Sequence, residues 1–264
     1  MSMTSDSRSG SAAFDDHGSQ IRWIEFGLGL PARVFIHGLG TNGPALFGQY
    51  MGRAELGDRQ SILVDLPGHG TSDRPVDFSY DLESHADAVA AACRVAGVTG
   101  IDLVGHSVGG DIAIVVAARH PGLVGRLVIS EANLDALPPS LTGRASQAMR
   151  AVSEASFVAE GYARLLEEDP GWGRTMQLCA PYAIHRTAVG LTTMTSPPTR
   201  DLFSSLSIPR TFIHGDRGEP LLGADLLRAA DIRVVTVSDA GHMVMLDNPE
   251  GYLVALVEAL TRPS

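Results

Sequence analysis

The chain has 264 residues, of which 44% are hydrophobic and 19% charged, a composition typical of a globular protein with a sizeable core. Its 30 acidic and 20 basic residues give a formal charge of −10, and no arginine cluster stands out, which disfavours a nucleic-acid-binding protein. Every basic residue is Arg, which excludes chemistry that needs a lysine Schiff base or a phosphate-binding lysine.

Cysteine usage and hydropathy bear on the compartment. Cys93 and Cys179 have neither metal-binding nor redox spacing, and no charged-then-apolar leader follows Met1. No apolar run approaches the roughly 20 residues that a membrane span requires. We therefore expect a cytoplasmic protein with reduced thiols and no membrane association. The sequence leaves the oligomeric state open between a monomer and a homodimer.

Short apolar runs alternate with helical patterns along most of the chain. Residues 1–18 are rich in Ser, Gly and Asp, which predicts a flexible N-terminal tail. Several of the later runs are continuous Val, Ile and Leu, which is typical of strands covered on both faces. The predicted strands are, in chain order, IRWIEF, RVFIHG, SILVDL, IDLVGH, RLVISE, RTFIHG and RVVTVS.

Helical patterns lie between these strands, beginning near Asp81, after Ser107 and near the C-terminus. The alternation predicts the α/β class, with a mostly parallel central sheet and helices on both of its faces. From about 133 to 205 only helical patterns occur. We interpret residues 133–205 as a helical cap inserted into a core of residues 19–132 and 206–264.

A candidate nucleophile lies between a predicted strand and a predicted helix. Gly105-His106-Ser107-Val108-Gly109 fits the pattern G-x-S-x-G in the strand-to-helix context that this motif requires. The flanking glycines permit a sharp, strained turn that exposes the Ser107 hydroxyl at the sheet edge. The helix behind it directs backbone N–H groups toward developing negative charge.

With this motif the chain resembles the α/β-hydrolases from about residue 20 onward. FIHGLG is similar to the His-Gly loop after the family's third strand, and VDLPGHGTSDRP to its fourth strand and the loop that follows. AGHMVMLDNPEGY is similar to the loop that carries the family's catalytic histidine, which implies His242 as the base. A serine hydroxyl needs such a base within hydrogen-bond reach.

The third member of the triad is less simple to assign. The family usually places an acid three residues past a glycine after its seventh strand, but here that position is Gly218. Glu131 ends the strand next to the one that carries Ser107, and some lactonases and haloalkane dehalogenases carry their acid there. We predict Glu131 as the acid that orients the histidine, with Asp216 and Glu219 as alternatives.

The backbone N–H of Val108, the residue after the nucleophile, is the first predicted oxyanion donor. The resemblance implies that the second oxyanion donor is the backbone N–H of Leu39, the residue after His37-Gly38. Apolar cap residues predict a substrate pocket for a largely apolar group; those assigned to substrate binding are Phe157, Trp172, Met176 and Tyr182.

Together these residues predict a serine esterase or lactonase acting on a small molecule through an acyl-enzyme, without a cofactor or metal. The resemblance leaves open a carbon–carbon bond hydrolase, a thioesterase or a cofactor-free lyase on the same triad. A receptor-like protein with slow turnover is the alternative from another class. Dehalogenase and epoxide hydrolase activities are disfavoured, because those relatives carry Asp at the position of Ser107.

Overall fold

The computed structural model describes residues 7–135, 149–193, 195–218 and 220–261. Its strands are β1 (Arg8–Ala13), β2 (Gln20–Phe26), β3 (Arg33–Ile36), β4 (Ser61–Asp65), β5 (Ile101–His106), β6 (Val124–Ser130), β7 (Arg210–Gly215) and β8 (Arg233–Val237). They form one eight-stranded sheet in the order β1-β2-β4-β3-β5-β6-β7-β8. The strands from β3 to β8 run parallel to one another, and β2 pairs antiparallel with β1 and with β4.

Eleven α-helices connect and cover these strands in the described part of the chain. They are α1 (Gly43–Phe47), α2 (Leu82–Val95), α3 (Val108–Arg119), α4 (Glu154–Ser156), α5 (Tyr162–Glu168), α6 (Pro170–Met176), α7 (Pro181–Thr193), α8 (Thr199–Ser205), α9 (Ala224–Ala229), α10 (Val244–Asp247) and α11 (Pro249–Thr261). A π-helical turn, Phe157–Gly161, joins α4 to α5, and short 3₁₀ turns occupy Gly48–Tyr50 and Ala54–Leu56. None of the helices within the described ranges is long and apolar enough to cross a bilayer.

The predicted fold class is confirmed, and all seven predicted strands are present. Alternate residues of the central strands face opposite sides of the sheet, as the pleat requires. In β3, Val34 and Ile36 join a core cluster with residues of α2 and α3, whereas Phe35 joins a second cluster with residues of α11. Apolar contacts on both faces explain why these strands lack polar alternation.

The prediction of a flexible tail over residues 1–18 is wrong for residues 8–13, which form the edge strand β1. This strand pairs with β2 from Arg8 opposite Glu25 to Ala13 opposite Gln20, and Ala12 is buried. The small residues of β1 lack the apolar pattern from which a strand is predicted, yet their backbone groups complete the hydrogen-bond ladder of β2. Residues 1–6 lie outside the described residues.

The region between β6 and β7 contains helices and no strand over its described residues. Helices α4 to α7 pack around apolar clusters of their own, including Phe157, Ile184 and Ala188. In contrast, Phe203 of α8 belongs to the main core cluster with α3. The predicted cap range of 133–205 thus includes one helix, α8, that packs with the core. This helix directly precedes β7 and leads the chain back to the sheet.

Three buried histidines lie close together beneath the cap. The ring centroids of His37 and His69 are 5.2 Å apart, and those of His69 and His85 are 6.4 Å apart. Burial lowers the pKa of His37 to about 4 and, with the neighbouring His37, that of His69 to about 3. The pKa of His85 is also lowered well below its usual value by burial. The folded protein therefore holds these rings neutral.

Acidification is expected to destabilise the fold through these rings. In the unfolded chain the histidines are protonated near pH 6.5, whereas in the folded chain the three buried rings stay neutral until the pH reaches their lower pKa values. The free energy of unfolding is therefore highest above about pH 6.5 and decreases as the pH falls below it. Each ring should cost about 1.4 kcal/mol between about pH 7.5 and about pH 5.5. Urea unfolding at both pH values measures this difference.

One variant identifies the source of this pH dependence. His69→Gln should reduce the pH dependence of the unfolding free energy by about one ring's share. The same pH dependence in His69→Gln as in the parent protein would contradict the assignment.

Candidate active site

Ser107 occupies a strained turn between β5 and α3. Its φ of 54° and ψ of −129° lie in a region that residues with a side chain rarely adopt, at a cost of about 1–3 kcal/mol. Glycines are required on both sides: a Cβ at Gly105 would lie 2.4 Å from the Gly109 carbonyl oxygen, and one at Gly109 2.3 Å from that of His37. The turn projects the half-buried Ser107 side chain into a cavity at the carboxyl edge of the sheet.

His242 lies beside this serine. Its Nε2 is 3.1 Å from Ser107 Oγ, within hydrogen-bond distance. The loop that carries it follows β8 and is fixed by Asp247, whose carboxylate accepts the Gly241 N–H at 2.8 Å. The His242 side chain is 54% exposed, so it can exchange protons with a group in the cavity or with water.

Glu131 reaches the other nitrogen of the same ring. It follows β6 at a φ of 54°, and its Oε1 accepts the Gly215 N–H at 2.7 Å. Its Oε2 lies 3.6 Å from His242 Nδ1, and its side chain is only 12% exposed. A carboxylate in this position favours the tautomer with the proton on Nδ1, which leaves Nε2 free to accept the Ser107 proton.

The structure also shows what occupies the usual position of the acid. A Cβ built on Gly218 would lie 3.8 Å from Glu131 Oε2, so the Glu131 carboxylate occupies the space beside Gly218. Asp216 is exposed and makes no ion pair or hydrogen bond with His242 within the described contacts. Glu219, the other alternative, lies outside the described residues.

The residues Gly38–Gly40, which we call the oxyanion loop, lie against the nucleophile. A Cβ on Gly38 would come within 3.3 Å of Ser107 Cβ. Within the described structure, neither the Leu39 N–H nor the Val108 N–H donates to another protein group. Both N–H groups therefore lack a protein acceptor in the described structure, and their role as oxyanion donors stays a prediction.

His37 fixes one peptide of the oxyanion loop. The Leu66 N–H donates to His37 Nε2 at 3.0 Å, so Nδ1 carries the ring proton and donates to the Gly38 carbonyl at 2.7 Å. Because the Gly38–Leu39 peptide is planar and trans, this bond also directs the Leu39 N–H toward the opposite side. The low pKa of the buried ring preserves this arrangement at neutral pH.

A cavity of about 750 Å³ opens at Ser107. Its wall is mainly apolar and comes from both the core and the cap. The described apolar residues that line it are Leu39, Ala45, Leu46, Ala132, Leu134, Trp172, Leu191, Phe212, Pro220, Leu221, Leu222, Met243 and Leu246. A pocket of this size and character suits a small organic substrate.

A family comparison agrees with this arrangement of nucleophile, base and cavity. The model of the alpha/beta hydrolase fold family matches residues 31–249, most of the chain. The chain belongs to the α/β-hydrolase family. As an α/β-hydrolase it is an enzyme of the hydrolase class.

Several characterised α/β-hydrolases are similar to it over nearly their whole length. The chain is 29% identical to a 2-(acetamidomethylene)succinate hydrolase of Mesorhizobium japonicum, over 86% of each chain. It is 26% identical to an sn-1-specific diacylglycerol lipase of Mus musculus, over 88% of this chain and 81% of the lipase. The structure of an esterase of Thermogutta terrifontis shares the fold at a TM-score of 0.76 and 22% identity, over 96% of this chain and 98% of the esterase.

Only one of the four predicted substrate-binding residues lines the cavity of this α/β-hydrolase. Trp172 does so, whereas Phe157, Met176 and Tyr182 are not among the described lining residues. Phe157 packs in the apolar cluster of the cap, Met176 is fully buried, and the Tyr182 hydroxyl donates to the Arg74 carbonyl. The assignment of these three residues to the substrate is corrected, because none of them lines the described cavity.

The lining residues that the sequence analysis missed lie mostly in the core. Phe212 belongs to β7, Leu221 and Leu222 follow it, and Met243 is next to the candidate base. Their position in the sequence could have indicated this role, because residues that follow the carboxyl ends of parallel strands meet at the ligand-binding edge of the sheet.

Replacing Glu131 with Gln is expected to lower turnover by up to about 10⁴-fold while the protein stays folded. The amide can still accept the Gly215 N–H, but it carries no charge to stabilise the imidazolium. Steady-state kcat and circular dichroism measure the two effects. Asp216→Asn is the matched control and should keep normal turnover; near-normal turnover in Glu131→Gln would instead remove the role from Glu131.

Moving the carboxylate from position 131 to position 218 tests whether the space beside Gly218 can hold the group that contacts His242. Glu131→Ala should be nearly inactive, and adding Gly218→Asp should restore turnover at least about 10-fold by supplying a carboxylate beside the vacated position. Comparison of kcat for the single and double variants measures the rescue. Equal inactivity of the two would show that a carboxylate from residue 218 cannot serve His242.

Proposed function

We propose that this hydrolase cleaves the ester or lactone bond of a small, largely apolar substrate through an acyl-enzyme on Ser107. The observation that carries the proposal is the 3.1 Å contact between Ser107 Oγ and His242 Nε2 at the floor of an apolar cavity. The contact gives the hydroxyl a base in place, and the strained turn exposes it to a carbonyl carbon.

The chemistry follows from this geometry in two stages. Ser107 Oγ attacks the carbonyl carbon as its proton passes to His242 Nε2, and Glu131 stabilises the imidazolium that forms. The oxyanion accepts hydrogen bonds from the Leu39 and Val108 N–H groups, each worth about 3 kcal/mol. The imidazolium then protonates the departing alkoxide oxygen, and water, deprotonated by the same ring, hydrolyses the acyl-enzyme.

The charges around the cavity favour an uncharged substrate. Four carboxylates line the described wall, those of Glu131, Asp135, Asp169 and Asp247. The Arg200 guanidinium also lines it, but it is engaged in two hydrogen bonds with Asp135, at 2.8 Å and 2.6 Å. An anionic acyl group would meet repulsion that a neutral one avoids.

Similarity to the 2-(acetamidomethylene)succinate hydrolase favours a second candidate, a substrate that carries carboxylate groups. Arg200 would be the partner of such a group in the described wall, once it exchanged Asp135 for the substrate. The pairing of Arg200 with Asp135 makes this the weaker of the two candidates. For either substrate we propose a cytoplasmic location, which the free and buried Cys93 and Cys179 support.

A labelling experiment followed by a substrate panel tests the proposal. A fluorophosphonate probe should label the parent protein at one equivalent and leave Ser107→Ala unlabelled, since the probe requires an activated serine. Neutral aliphatic esters and lactones should then be turned over continuously, and faster than matched carboxylate-bearing esters or 2-(acetamidomethylene)succinate.

Three results would contradict this function in whole or in part. Absence of labelling in the folded parent protein would exclude an acyl-enzyme on Ser107. One equivalent of acyl transfer without continued turnover would indicate a slow, receptor-like protein instead. Faster hydrolysis of the dicarboxylate would favour the second candidate.

A further inference from the structure

Cap helix α6 makes two hydrogen bonds to the oxyanion loop. The Trp172 indole N–H donates to the Leu39 carbonyl at 2.9 Å, and the Thr175 hydroxyl lies 2.8 Å from the Gly40 carbonyl. The Thr175 hydroxyl has a second acceptor within reach, the Trp172 carbonyl at 3.0 Å. Consecutive carbonyl groups of one core loop are thus bonded by side chains one helical turn apart on the cap.

The close approach of the indole depends on the sequence of the loop. Gly40 adopts a φ of +70°, and a Cβ there would lie 2.6 Å from Trp172 Nε1. Any larger residue at position 40 would therefore displace the indole as well as strain the backbone. Leu39 and Trp172 also pack against the same apolar cluster of the cap.

The core in turn holds the segment that follows α6. The Ala180 N–H donates to the Gly68 carbonyl at 2.9 Å, and Arg74 donates to the Leu178 carbonyl at 2.7 Å. At the start of α6, Asp169 accepts the Trp172 N–H at 3.0 Å and caps the helix. These contacts define where the indole lies relative to the oxyanion loop.

The two sides of Leu39 are consequently fixed by different parts of the protein. His37 holds the Gly38 carbonyl from the core, which sets the plane of the peptide that bears the Leu39 N–H. Trp172 holds the next carbonyl, that of Leu39 itself, from the cap. The Trp172 bond thus restrains the peptide next to the one that bears the Leu39 N–H, and a donor must be preorganised to stabilise an oxyanion.

We propose that Trp172 and Thr175 are positioning residues of the oxyanion site, so that the site is complete only when α6 is seated on the core. This rests on the proposed function, since it assumes that the Leu39 N–H stabilises an oxyanion. The substrate cavity and the oxyanion site are then coupled, because the helix that closes one aligns the other.

The test uses variants that each remove one hydrogen bond to the oxyanion loop; Thr175→Val keeps the shape of its side chain, whereas Trp172→Phe also makes its side chain smaller. Trp172→Phe loses the indole N–H, Thr175→Val loses the hydroxyl, and Thr175→Ser keeps it. Glu154→Gln is the matched control, since it weakens a cap-internal ion pair with Arg186 that does not involve the oxyanion loop. The rate of Ser107 labelling by a fluorophosphonate, kcat for acetate and hexanoate esters, and the melting temperature are measured for each.

Trp172→Phe and Thr175→Val should each slow labelling and lower kcat by about 10-fold, and Thr175→Ser should restore the parent rates. The fall should be the same for both esters, because every acyl group shares one oxyanion, whereas a changed cavity wall would affect the longer one more. Glu154→Gln should label at the parent rate even if its melting temperature falls.

Labelling of Trp172→Phe and Thr175→Val within about twofold of the parent rate would overturn the proposal while leaving the proposed function intact. So would a loss confined to the hexanoate ester, or a loss in Thr175→Ser equal to that in Thr175→Val. Failure of the parent protein to label at all would overturn the proposed function, and this inference with it.

Discussion

The hydrogen bond from the Gly215 N–H to the Glu131 carboxylate ties the ends of two neighbouring strands together at the edge of the sheet. It fixes one carboxylate oxygen, which leaves the other directed at His242 Nδ1. The His242 side chain is 54% exposed, and its ring lies between this carboxylate and the Ser107 hydroxyl. The geometry of the candidate triad therefore depends on the register of β6 against β7, and on the buried strands that maintain it.

The buried strands of the sheet stabilise two strained residues at its carboxyl edge, Ser107 and Glu131. Ser107 and Glu131 both have a φ of 54°, a conformation that costs about 1–3 kcal/mol for a residue with a side chain. Both directly follow strands whose last residues are buried on two faces, and the Ser107 N–H donates to the Ser130 carbonyl at 2.8 Å. A rigid, doubly covered sheet can hold two such residues side by side where a loop could not.

The features that follow from local patterns were predictable from the sequence, and those that depend on packing were not. Continuous apolar runs revealed seven strands, and the turn at Ser107 and the glycine at position 218 pointed to Glu131. Strand β1 was missed because Ser and Gly pair through their backbones. Phe157 and Met176 were misassigned because an apolar residue has the same appearance in the sequence whether it lines a cavity or fills the inside of a cap.

The Glu131 carboxylate at the end of β6 and the segment that follows β7 have different contacts in the described structure. The segment between β7 and α9 carries no group bonded to His242 in the described structure, yet Pro220, Leu221 and Leu222 contribute to the cavity wall. Substitutions in this segment can therefore change the shape of the cavity wall without moving the carboxylate beside the His242 ring.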